Sequence, residues 1–276
     1  MLLLVWASFH LVSRFIVRDG LTPWDVALLR YLGAFVCVLP LLALHGRPRI
    51  RPRRLPAVLV FAGFGFPLCA YAGYQLAPAA HGATVMAAGL PAVTALLGAA
   101  VGQSRLTVRR VAGLGIIILG SVLLAWATSG AWEGAWRGDL LFLAAVSSWA
   151  VYTLLVQRWA LPALDTTIAI GLMAAPIFLP VWWLVLPSGL AEASWTVILT
   201  QAAFQGAGAS VLAGILYTRS VAALGPTATT MIGAAVPALV ALTAWPLLGE
   251  VLSPVGILAV LMVSGGMLVG IGRRPP

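Results

Sequence analysis

Ten apolar stretches constrain this chain more than anything else in it. They run approximately over residues 2–18, 24–44, 55–77, 80–101, 108–128, 138–158, 166–186, 195–218, 227–248 and 252–271. A helix needs about 20 residues to cross the hydrocarbon of a bilayer. Backbone polar groups find no partner in hydrocarbon, so apolar runs of this length cross it as helices. The longest connections, 45–54, 129–137 and 187–194, are too short to hold a soluble domain. Composition agrees. Of 276 residues, 62% are hydrophobic and 8% charged, against about a quarter charged in soluble proteins. So few charges cannot coat a globule in water, and so many apolar residues exclude disorder. Cys37 and Cys69 both sit in apolar runs, which excludes a disulfide scaffold. The start, Met1-Leu2-Leu3-Leu4-Val5, lacks the basic region and cleavage site of a signal peptide, so it reads as the first span itself.

Charge then gives orientation. The net charge of +9 comes from 16 arginines, with no lysine. Such a balance can mark a nucleic-acid partner, but in a membrane chain arginine first reports the cytoplasmic side. With the N-terminus inside and ten alternating spans, twelve of the 16 fall inside: those of 47–54, 105–110, 158, 219 and 273–274. Arg14, Arg18, Arg30 and Arg137 fall on or near the outer side. Asp19, Asp25, Glu133, Asp139, Glu192 and Glu250 lie outside and only Asp165 inside. The expectation is a multi-pass protein of the bacterial inner (plasma) membrane with both termini cytoplasmic, and no nucleic-acid partner.

The chain also repeats itself. Shifted by 146 residues, Tyr71 falls on Tyr217, Thr84 on Thr230, Pro91 on Pro237, Leu106 on Leu252 and Gly120 on Gly266, among ten ungapped identities. A Trp-Ala pair opens each half, at Trp6-Ala7 and Trp149-Ala150, on a slightly different offset. The expected units are 1–129 and 130–276, five helices each. Five is odd, so the second unit starts on the opposite side and the repeats are inverted. That architecture is typical of secondary transporters, with the site near the midplane between the repeats. Pro91 and Pro237 interrupt the fourth and ninth spans. Each removes a donor and frees the carbonyl one turn earlier, and matched breaks of this kind point to a binding site.

Several short motifs carry a family resemblance: Trp6-Ala7-Ser8-Phe9, Leu28-Leu29-Arg30-Tyr31, Tyr71 to Pro91 with Gly113 and Gly120, Ser148-Trp149-Ala150, Tyr217, Pro226, Pro237 and Leu247-Leu248-Gly249-Glu250. Together with ten spans and the repeat, the chain resembles the drug/metabolite transporter (DMT) superfamily, EamA type, over essentially its whole length. It looks most like YddG-type amino-acid exporters. The resemblance implies two inverted five-helix bundles around a central cavity, and export or exchange of small metabolites, amino acids included. One departure is that Gly102-Gln103-Ser104 stands where the second half has Leu248-Gly249-Glu250.

Polar groups inside a bilayer are costly and therefore mark candidate sites. His10, Ser13 and Arg14 share a face of the first span, and Tyr71, Tyr74 and Gln75 a face of the third. Gly63, Gly65 and Pro67 weaken that third span. His81 sits at the outer mouth of the fourth. The sixth span offers Trp149, with Ser148 and Tyr152 at i,i+4. The eighth offers Gln201 and Gln205, beside a small-residue stripe of Gly206, Ser210 and Gly214 that reads as close packing. Arg30 reads as packing between helices, with a carboxylate-binding role as the lesser alternative. The expected substrate site is lined by His10, Tyr71, Tyr74, Gln75, His81, Met86, Pro91, Trp149, Tyr152, Gln205, Met231 and Pro237. It suits a zwitterion with an apolar tail. The carboxylate meets a helix N-terminus or an arginine. The ammonium meets carbonyls freed by the prolines, or the aromatic faces of Tyr74, Trp149 or Tyr152. Met86 and Met231 supply an adaptable apolar wall.

No cofactor or metal is expected, and no catalytic residue. A zinc protease needs His-Glu-x-x-His on one helix, whereas the three histidines are His10, His45 and His81. No lysine is available for a nucleotide-binding loop. Every acid lies near a span end, which favours facilitated diffusion or exchange over proton coupling through a midplane carboxylate. The competing classes are an intramembrane enzyme and a small-solute channel. Cleavage without flux would mark the first, and conduction without saturable counterflow the second.

Overall fold

The computed structural model describes residues 2–16, 20–77, 79–128, 136–233, 235–236, 239 and 253–271. Among them lie ten helical elements and no strand. The first five are α1 (Leu2–Ile16), α2 (Pro23–His45), α3 (Pro52–Leu76), α4 (Ala79–Ala100) and α5 (Val108–Thr128). The second five are α6 (Trp136–Trp159), α7 (Ala163–Val185), α8 (Trp195–Leu224), α9 (Pro226–Gly233) and α10 (Pro254–Ile271). By length and composition α2, α3, α6, α7 and α8 can each cross a membrane. The observed helices track the expected spans to within a few residues. The largest difference is α8, which runs to Leu224 because Gly225, at φ +84°, is its first left-handed residue. Residues 240–252 of the expected ninth and tenth spans lie outside the described residues.

Helix α2 shows how the sequence sets an end. The Thr22 hydroxyl accepts the Asp25 N–H at 3.2 Å, and Asp25 accepts the Thr22 N–H at 2.9 Å. This capping box, followed by Pro23, fixes the helix start. The same Asp25 carboxylate accepts Trp182 Nε1 from α7 at 2.9 Å and the Gly189 N–H at 2.8 Å. At the other end of α2, His45 Nε2 meets Asp165 Oδ1 at 2.9 Å. The second helices of the two halves are therefore antiparallel and tied at both ends. Arg54 Nη1 donates to the Trp159 carbonyl at 3.2 Å, at the His45 end. The connections expected on one side of the membrane thus collect at one end of the bundle.

Helix α5 packs on α10 glycine to glycine. A Cβ on Gly113 would lie 2.6 Å from the Gly266 carbonyl oxygen, and one on Gly266 would lie 2.7 Å from that of Gly113. Small residues that let helices touch are the usual means of association in lipid.

Besides the 3₁₀ turn Pro52–Arg54 that opens α3, two described segments depart from the α-helical period. Leu59–Gly65 in α3 and Ala202–Leu212 in α8 are wound as π-helix. Shifting the first by 146 residues gives 205–211, inside the second. The expected weakness around Gly63 and Gly65 therefore appears as a widened turn, present in both halves. Widened turns of this kind frequently mark functional sites. Helix α2 runs against the second one closely: a Cβ on Gly33 would lie 2.1 Å from the Ala202 carbonyl oxygen, and one on Gly206 would lie 2.5 Å from Gly33 Cα.

Candidate functional site

A cavity of about 770 Å³, counting its open mouth, lies between the two halves. Trp6 and Phe9 of α1, Arg30 of α2, Phe66 of α3 and Met86, Ala87 and Leu90 of α4 line it from the first half. Val146 and Trp149 of α6, Ala209, Ala213 and Gly214 of α8, Thr230 and Gly233 of α9, and Val236 line it from the second. The lining respects the repeat. Ala87 pairs with Gly233 and Leu90 with Val236 at the 146-residue shift, and Trp6 with Trp149 through the Trp-Ala pairs. The cavity is thus walled in part by equivalent residues from both halves.

The wall is mostly apolar and aromatic. The Trp149 ring lies 5.1 Å from each of Phe66, Tyr152 and Tyr217, and Trp6 lies 5.5 Å from Tyr217. The tyrosine hydroxyls face away into side-chain bonds: Tyr152 with Thr218 at 2.9 Å and Tyr217 with Thr153 at 2.5 Å. A smaller space beside it shares Arg30, Trp149 and Gly214 and adds Tyr152, Thr167 and Ser210.

Arg30 is the charge in this wall. It is 6% exposed, and its Nη2 donates to the Ala209 carbonyl at 3.2 Å. Ala209 lies in the π segment of α8. Its neighbour Tyr31 donates through its hydroxyl to the Gly63 carbonyl of the α3 π segment at 2.9 Å. Gly63 and Ala209 are equivalent at the 146-residue shift. Adjacent residues of α2 thus satisfy matching carbonyls of the two widened turns. Among the described residues no carboxylate pairs with Arg30. Asp25 and Asp165, the buried acids, are engaged at the two ends of α2.

Of the expected site residues, Met86 and Trp149 line the cavity. Pro91 is buried within α4 behind the wall, while Ala87, whose carbonyl the proline leaves without its N–H, lines it. Tyr152 lines the smaller space. Tyr71 and Gln205 are buried together outside the wall, the Tyr71 hydroxyl donating to Gln205 Oε1 at 2.9 Å and so joining α3 to α8. Tyr74 packs edge-on against Phe142 at 4.9 Å. Gln75 is exposed. The Met231 side chain is buried among Ala95, Leu114, Ile117 and Val263, on the side of α9 that meets α4 and α10. The side chains of His10 and His81, and Pro237 itself, lie outside the described residues. Gly233, the residue four before Pro237, lines the cavity. Sequence reasoning left out Trp6 and Phe66, and gave Arg30 a carboxylate-binding role only as the lesser alternative. The repeat itself pointed to Trp6, as the partner of Trp149.

An all-helical bundle of two five-helix units around a cavity walled by both is a polytopic membrane architecture. The chain belongs to the EamA-like transporter family, whose model matches residues 1–126 and again 136–271. It is accordingly a multi-pass membrane transporter of small solutes. No curated protein matches the chain. One solved protein crystal structure aligns with TM-score 0.75 at 18% identity, over 97% of this chain and 93% of its own, and has the same fold.

Proposed function

We propose that this chain is a secondary transporter that exports or exchanges neutral and aromatic amino acids across a bacterial inner membrane, with both termini in the cytoplasm. Its two working units are residues 1–129 and 130–276, and the cavity between them is exposed to each side in turn. The observation that carries this reading is Arg30, a buried guanidinium without a carboxylate partner among the described residues, in an otherwise apolar, tryptophan-lined cavity. A guanidinium fits a carboxylate bidentately. Ala87 and Gly233 both line the cavity, and each precedes a proline by four residues, a residue that offers no N–H to a carbonyl one turn earlier. Those carbonyls and the Trp149 face suit an ammonium group. Met86, Phe66 and Leu90 suit an apolar side chain. An amino acid presents all three features at once.

Alternating access needs elements with two packings. The paired π segments supply them, because a widened turn moves along a helix at little cost when side chains such as Tyr31 and Arg30 can re-bond the carbonyl it frees. The test is uptake of radiolabelled amino acids by proteoliposomes holding the purified chain. Saturable uptake of neutral or aromatic amino acids supports the proposal. Peptide or lipid cleavage without flux overturns it.

A further inference from the structure

At the end of the bundle where His45 meets Asp165, a second cavity of about 1740 Å³, open to solvent, lies between the two halves. Among the described residues its lining includes Arg105, Arg109 and Arg110 and no carboxylate. Arg109 and Arg110 stand in the first turn of α5, where the helix dipole disfavours cations. The first turn of α9 borders the same space through Thr227 and Ala228. The Thr229 N–H returns to the Gly225 carbonyl at 3.2 Å, so the N–H groups of Thr227 and Ala228 precede the first bond of that helix. Arg110 Nη1 donates to the Arg105 carbonyl at 2.8 Å, which fixes two of the arginines together. Ser104, in the same wall, has its hydroxyl buried without a partner. Three guanidiniums and the first turns of two helices therefore converge on a space with no carboxylate among its described lining residues.

We propose that this cavity binds a phosphate group, bridging the α4–α5 connection of the first unit to the α8–α9 turn of the second. Several donors arranged around one space suit a tetrahedral anion with multiple acceptor oxygens, and arginine recognises phosphate by paired hydrogen bonds. The source is inorganic phosphate or the phosphodiester of an anionic lipid headgroup. The exposed Leu106 and Val108 beside the cavity give a lipid a place for its chains. The site shares no residue with the Arg30 cavity and stands independently of the substrate reading.

The test uses the full chain. Native mass spectrometry from nanodiscs of phosphatidylcholine with phosphatidylglycerol reads retained lipid. Equilibrium dialysis of radiolabelled inorganic phosphate in neutral detergent reads the free anion. The variant is Arg105→Gln/Arg109→Gln/Arg110→Gln, and the control Arg49→Gln/Arg51→Gln/Arg53→Gln removes the same charge from the 45–54 connection. We expect about a tenfold or larger loss of the bound anion in the first and less than about twofold in the control. Retention of phosphatidylglycerol alone assigns the lipid source, and binding of phosphate alone assigns the free anion; either supports the proposal. Equal loss in both variants, or binding of neither anion, overturns it. Should the triple variant fail to fold, Gln103→Cys keeps the arginines in place. Phosphate or phosphatidylglycerol then slows its alkylation several-fold, and an unchanged rate counts against the site.

Discussion

Replacing Arg30 by methionine removes the guanidinium while keeping a side chain of similar reach. A guanidinium has five N–H donors; the structure commits Nη2 to the Ala209 carbonyl and sets the group in a side-chain hydrogen bond with Tyr71, and the remaining donors are available to a ligand. A hydrogen bond to a charged group in a low-dielectric site is worth about 1.5–3 kcal/mol. That is a loss of about 10- to 150-fold in affinity for a carboxylate-bearing substrate. The assay compares an aromatic amino acid with the amine that lacks its carboxyl group, by competition against labelled uptake in proteoliposomes. The wild-type chain should prefer the amino acid, and Arg30→Met should lose most of that preference, with the amine nearly unaffected. Arg30→Lys should fall between, because an ammonium keeps the charge and loses the bidentate fork. If Arg30→Met weakened both competitors equally, or neither, Arg30 would be a packing residue and the carboxylate reading would fail.

Gly233→Ala places a methyl 2.7 Å from the Trp6 ring. It should lower uptake of bulky substrates more than small ones while leaving the melting temperature nearly unchanged, as competition assays and thermal unfolding would read. Gly33→Val sets a side chain against the Ala202 carbonyl at 2.1 Å, with no flexible atom to yield. It should destabilise the α2–α8 contact by about 1–3 kcal/mol or more, seen as a lower melting temperature in detergent. Asp25→Ala leaves Trp182 Nε1 and the Gly189 N–H without their acceptor. A cost of about 1–3 kcal/mol per orphaned donor is expected, and thermal unfolding compared with Trp182→Phe would apportion it.

The membrane fold was legible because span length is a local property. Each run of about 20 apolar residues has to cross hydrocarbon whatever its neighbours do. The repeat, which the family model matches twice, was legible in Tyr71 with Tyr217 and Gly120 with Gly266. The π segments were marked only as a glycine-weakened stretch, since which turn widens depends on the hydroxyls and guanidinium that wait for the freed carbonyls. Arg30 was read as an outer-side packing residue because chain position alone placed it near a span end. The close approach of Gly33 to Gly206 packs α2 tightly on α8, and Arg30, three residues before Gly33, lines the cavity. Met231 was one residue from the wall residue Thr230, but a helix turns about 100° per residue, so it faces α4 and α10. Gln75 and Tyr71 share a helical stripe in the sequence, yet Tyr71 is buried, because α8 presents Gln205 to it, and Gln75 is exposed.

The central claim is that one cavity between inverted repeats carries its substrate alternately to the two sides. Counterflow in proteoliposomes tests it most directly. Vesicles are loaded with unlabelled amino acid and diluted into a trace of the labelled one. The account predicts transient uptake above equilibrium that saturates with internal substrate and falls sharply in Arg30→Met. Labelled flux that is indifferent to internal substrate and rises linearly with concentration would describe a channel and contradict it.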